Sequence, residues 1–189
     1  MEERGVEVDH SSLNRWVIKY TPLLERAFRQ LKRPAGTSWH LDETYISVKG
    51  QWKYLYRAVD KAGHTVDFLL TANRDRKAAS RFLRKSIDQC GTPQKITIDK
   101  SRANGAAIEN YNSEMNTRIE LRQVKYLNNI VEQDHRAIKR ITRPMLGFKS
   151  FWSAAITLAG IEIMHMICMG QLICKGIITP AQQFYSLAK

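Results

Sequence analysis

The chain has 189 residues, enough for one domain of ordinary size with appendages, and thirty Lys and Arg against eighteen Asp and Glu leave a net charge of +12. Such an excess points to an anionic partner, nucleic acid or an acidic membrane surface. Three cysteines, odd in number and without C-x-x-C spacing (Cys90, Cys168, Cys174), indicate neither a disulfide framework nor a zinc site, and they read as reduced thiols.

In chain order, GVEVDHSS reads as a turn, and Leu13, Trp16, Val17 and Tyr20 form the apolar stripe of a helix that Ser11 or Ser12 can cap. Asn14, Arg15 and Lys19 lie off that stripe, as in the DNA-reading second helix of a helix-turn-helix. A linker helix fits the segment equally well. Pro34 and Gly36 mark a break, so residues 1–33 separate from a main unit expected over 34–150.

Within that unit SWHLDETYISVKG, QWKYLYRAVD and HTVDFLLTAN are rich in β-branched and aromatic residues, with turns at Lys49-Gly50 and Lys61-Ala62-Gly63. They predict a three-stranded antiparallel meander. RDRKAASRFLRKSIDQC predicts a helix with a basic face, QKITID a short buried strand, residues 103–117 a helix, IELRQVKY a further strand, and residues 128–143 a last helix. The order β-β-β-α-β-α-β-α describes an α/β domain whose mixed five-stranded sheet carries helices on its faces. Residues 151–189 are expected to form a C-terminal helix and tail packing on it. Their most apolar stretch, FWSAAITLAGIEIMHMICMGQLI, is interrupted by Glu162, His165 and Gln171, so a buried helix is expected and no membrane span.

Three acids stand out. Asp42 falls inside the first strand on the side of His40, Thr44 and Ile46, while Glu43 points the other way. Asp99 ends the apolar run KITID at the carboxyl end of a strand, where open α/β sheets bind ligands. Glu132 shares a helix face with Arg136, Lys139 and Arg143, and Arg140 adds charge nearby. Taken singly, each has an ordinary explanation: a satisfied buried acid, a turn or helix-cap aspartate, and a surface ion pair. Asp134, Asp60 and Asp67 carry weaker signals, and for Asp60 beside a hairpin turn and Asp67 in an edge-like strand turn chemistry or solvation suffices. Together, converging carboxylates repel unless a hard cation sits among them. Two Mg²⁺ ions about 3.5–4 Å apart suit phosphodiester displacement, with the basic helix face holding the DNA backbone alongside.

The blocks WHLDETYISVKGQWKYLYRAVDKAG, ITIDKSRAN and VKYLNNIVEQDHRAIKRITRPMLGFKSF resemble bacterial DDE transposases of the insertion-sequence-six family, from about residue 5 to the closing PAQQFYSLA. The resemblance implies an RNase H-like catalytic domain and two Mg²⁺ ions, with Mn²⁺ a possible substitute. It assigns the catalytic and metal-binding triad to Asp42, Asp99 and Glu132, and it implies that Lys139 contacts DNA at the transposon end. Transposon inverted-repeat ends and target DNA are the implied partners, with a homo-oligomer assembled on DNA, a cointegrate as product and a bacterial cytoplasmic, nucleoid-associated location. Family members usually begin with a complete helix-turn-helix, so a truncated member carrying the second half is expected. Arg102 stands where a small residue is usual. Two other readings remain: a DNA-binding fragment without transposition activity, and an RNase H-like nuclease of RNA:DNA hybrids.

Overall fold

The computed structural model describes residues 7–124, 129–174, 176 and 179–187. The chain forms two compact units, one spanning Pro34–Phe148 and the other combining Met1–Arg33 with Lys149–Lys189.

In the Pro34–Phe148 unit the β-branched and aromatic runs form β1 (Ser38–Val48), β2 (Gln51–Asp60) and β3 (Thr65–Thr71). Lys49 and Gly50 both take positive φ, 52° and 71°, the two-residue turn whose twist suits a right-twisted hairpin. β2 therefore folds back with Arg57 opposite Asp42. β4 (Lys95–Ile98) joins β1 in parallel and β5 (Glu120–Gln123) joins β4 in parallel, giving the order β3-β2-β1-β4-β5. The expected mixed sheet is present, with β1 at its centre. Lys125 and Tyr126, the end of the expected last strand, lie outside the described residues.

Helices cover both faces of the sheet. Trp39, Leu41, Tyr56 and Ala58 form one buried cluster with Phe82 and Leu83 of α2 (Arg76–Cys90) and Ile108 of α3 (Arg102–Met115). α4 (Asn129–Thr142), continued by a 3-10 turn at Arg143–Met145, covers the other face of β1 and β2. Val131, His135, Ile138 and Thr142 are its buried residues, one i, i+4, i+7, i+11 stripe. Ile141 falls off that line and is exposed.

In the other unit α1 (His10–Leu31) packs along α5 (Phe151–Cys168), and α6 (Pro180–Ser186) follows. Gly160 permits a close helix approach, since a Cβ there would meet Thr21 Oγ1 at 3.2 Å. The cap of α1 is Asp9, whose carboxylate accepts from the Ser11 N–H at 2.9 Å; Ser11 and Ser12, expected as caps, lie inside the helix. Trp16, Val17 and Tyr20 are exposed, and the buried residues of α1 are Thr21 and Phe28. By length and composition α5 could cross a membrane. It nevertheless buries Glu162 along with Ala154, Leu158 and Ile163, and the chain beyond it returns along α1, with Ile173 N–H donating to Leu31 O at 2.8 Å.

Candidate active site

Parallel pairing sets the first two acids side by side. Leu41 is in register with Ile98, the last residue of β4, so Asp42 and Asp99 are the next residues along two adjacent strands. Both are partly exposed. Asp99 is not a helix cap: α3 takes Ser101 as its N-cap, and the Asp99 carboxylate accepts the adjacent Lys100 N–H at 2.7 Å. Arg102 opens α3 as an exposed residue, pointing away from the core.

The third acid arrives from α4. Glu132 sits exposed in its first turn, where a carboxylate is favoured by the helix dipole. One turn on, His135 is buried with Nε2 3.3 Å from Asp42 Oδ2, an ion pair whenever the imidazole is protonated. Arg57, across from Asp42 on β2 and 0% exposed, reaches Asp134 Oδ2 at 2.6 Å. These two links join the first turns of α4 to the strands beneath. Among the described residues, no three His, Cys, Asp or Glu side chains stand close enough together to hold a metal ion. Asp42 and Asp99 occupy adjoining positions on paired strands, and Glu132 stands one turn before His135, the α4 residue that contacts Asp42.

Glu43, on the opposite side of β1, has a different setting. Its carboxylate pairs with Arg74 and accepts from Asn104 Nδ2 of α3 at 2.9 Å. Burial alone would lower the Arg74 pKa, but the Glu43 charge and hydrogen bond outweigh it and raise the value. Burial first and Glu43 second push the neighbouring Tyr56 phenol upward. Asp60 behaves as a turn aspartate, accepting from Gly36, Ala62 and His64 N–H groups at 2.9–3.0 Å. Asp67 is not solvated as expected: it is 1% exposed and held by Lys85 Nζ at 2.6 and 2.7 Å. Asp134, weak in the sequence, forms the buried pair with Arg57. No local pattern marked Arg57 or His135; the only signal for His135 was its i+3 spacing from Glu132.

Arg136, Arg140 and Arg143 are exposed along α4 and its 3-10 extension, while Lys139 and Arg143 border a cleft of about 400 Å³. Asn14, Arg15 and Lys19 are exposed on α1, where the Arg15 guanidinium folds back onto Ser11 and Ser12.

The DDE domain of IS240-type transposases matches residues 36–171. The chain belongs to the insertion-sequence-six family of DDE transposases. Among its relatives are two Staphylococcus aureus proteins, both 40% identical. The transposase for the insertion sequence-like element IS431mec of strain Mu50 matches over 169 residues, 88% of this chain and 74% of the relative. The transposase for insertion sequence element IS257 in transposon Tn4003 matches 87% and 72% of the two chains. Among solved structures, the HTLV-2 integrase catalytic core domain in complex with magnesium aligns with a TM-score of 0.55 at 15% identity, covering 82% of this chain and 99% of that one. This likeness shows an RNase H-like fold. DDE transposases are DNA-cleaving and strand-transferring enzymes that depend on divalent metal ions. The chemistry of the donor set suits such an ion, since Asp42 and Asp99 offer hard, partly exposed oxygens at adjoining positions.

Proposed function

We propose that this DDE transposase cleaves DNA at transposon ends and joins the freed 3′-hydroxyl to target DNA, with Asp42, Asp99 and Glu132 as its catalytic carboxylates. The observation that supports the assignment is the register of β1 and β4, which makes Asp42 and Asp99 neighbours, with Asp42 3.3 Å from His135 of the helix that bears Glu132. Two Mg²⁺ ions, or Mn²⁺ in their place, would be held by these three acids and would stabilise charge on the attacking and leaving oxygens.

Water attacks the phosphodiester at the transposon end and releases a 3′-hydroxyl, which then attacks a phosphodiester of the target; no covalent protein intermediate is needed. His135 orients the Asp42 carboxylate, and the Arg57–Asp134 pair holds α4 over the two strands. Arg136, Lys139, Arg140 and Arg143 line the DNA backbone up with the acids, and Asn14, Arg15 and Lys19 on α1 contribute to reading the inverted repeat. Two or more protomers assemble on paired ends in the cytoplasm, on the nucleoid, and the product is a cointegrate.

The test is strand transfer on DNA bearing the element's inverted repeats, with Mg²⁺. Wild type joins ends, and Asp99→Asn does not. Shifted DNA mobility without joining in wild type would instead make the chain a DNA-binding protein without transposition activity.

A further inference from the structure

Further along β1 from Asp42, between the strand and the end of α4, lies the cleft of about 400 Å³, large enough for a nucleotide. Lys139 and Arg143 supply two cations on one wall. Tyr45 and Trp52 supply aromatic rings on another, 6.2 Å apart and edge to face at 76°. Trp52 is 65% exposed. Cations alone would suffice for a phosphate backbone, but aromatic rings beside them suit a group that is anionic at one end and a flat π-system at the other. A base inside a duplex keeps its faces stacked on its neighbours; only an unpaired base can offer one.

The rim of the cleft carries a second feature. Leu146 is 93% exposed and takes φ 54°, a left-handed conformation that is costly for a bulky side chain. It is held there firmly. Gly147, at φ 102°, sits where a Cβ would meet Ser47 Oγ at 2.9 Å, and Phe148 N–H donates to Ser47 O at 2.9 Å. Lys49 N–H donates in turn to Phe148 O at 2.8 Å. A protruding apolar side chain on a pinned turn is the form of a wedge that enters a base stack.

We infer that the cleft receives one unpaired nucleotide of bound DNA, its base stacked on Trp52 beside Tyr45, its phosphate between Lys139 and Arg143, and Leu146 filling the gap left in the stack. The inference rests on the DNA substrate proposed above and adds the conformation in which one of its nucleotides is held.

Three labelled duplexes test it by fluorescence anisotropy at fixed salt: perfectly paired, with one central unpaired nucleotide, and with the same bulge lacking its base. Wild type should bind the bulged base roughly tenfold or more tightly than the other two, from the usual strength of base–aromatic stacking. Trp52→Ala and Leu146→Ala should each reduce that advantage and leave the affinity for the perfect duplex within about twofold, while Trp52→Phe should retain it. Equal wild-type affinity for all three duplexes overturns the inference. Joining measured on the same preparations separates the two readings: joining without the advantage removes the cleft's role alone, and the advantage without joining removes the transposase chemistry alone.

Discussion

Asp42 and Glu43 are consecutive on β1, yet one carboxylate is committed and the other is available. Glu43 faces the α2 and α3 layer, its side chain is 3% exposed, and Arg74 and Asn104 occupy its oxygens. Asp42 faces the α4 layer, its side chain is 22% exposed, and its described side-chain partner is His135 at 3.3 Å. The difference teaches that an acid's neighbours on its own side of a strand, and not its neighbours in sequence, decide whether it can serve a ligand. A saturated carboxylate stabilises the fold. One with open oxygens beside another acid is a liability until a cation or a substrate arrives.

The sharpest way to break this comparison is to neutralise each acid in turn. Asp42→Asn should abolish strand transfer while shifting unfolding free energy by no more than about 0.5 kcal/mol, read by gel assay and urea denaturation. Residual joining would take Asp42 out of the catalytic set. In the same layer, Asp134→Ala deprives the fully buried Arg57 of a charge partner and should cost about 3–5 kcal/mol; a loss below 1 kcal/mol would mean that the remaining contacts of Arg57 suffice. Glu43→Ala should cost about 1–3 kcal/mol by leaving Arg74 and Asn104 without their acceptor. If Glu43→Ala instead kept full stability and lost joining, the roles of the two acids would be reversed. Glu132→Gln should abolish joining with DNA affinity nearly intact. The smallest effect is expected for Lys139→Ala, which should flatten the salt dependence of DNA binding by about one unit, as loss of one phosphate contact would.

Much of this was legible in the residues. Alternation along β1 separated Asp42 from Glu43, the Lys49-Gly50 turn placed β2, and helical spacing grouped Glu132 with Arg136, Lys139 and Arg143. Each of these is a local regularity with a fixed period. The pairs that hold the site together are not local: Arg57 with Asp134 and His135 with Asp42 depend on where α4 lands on the sheet, which no spacing within one element encodes. The same limit explains Asp67, whose partner Lys85 comes from the following helix, and Trp16, Val17 and Tyr20, whose apolar spacing is genuine but whose burial is not. The likeness of whole motifs to a known family supplied what periodicity could not, the proposal that three distant acids act as one set.

The two attachments of α4 have a consequence for accuracy. Near its start the helix is referenced to β1 through His135 and Asp42, and just past its end the chain is referenced to the same strand through the bonds of Phe148 to Ser47 and Lys49. A helix measured at both ends against one straightedge cannot slide or tilt without breaking one of the marks. Placement errors therefore do not accumulate from one end of α4 to the other, and in the proposed reaction β1 would act as a common datum for aligning a phosphate backbone with the acids.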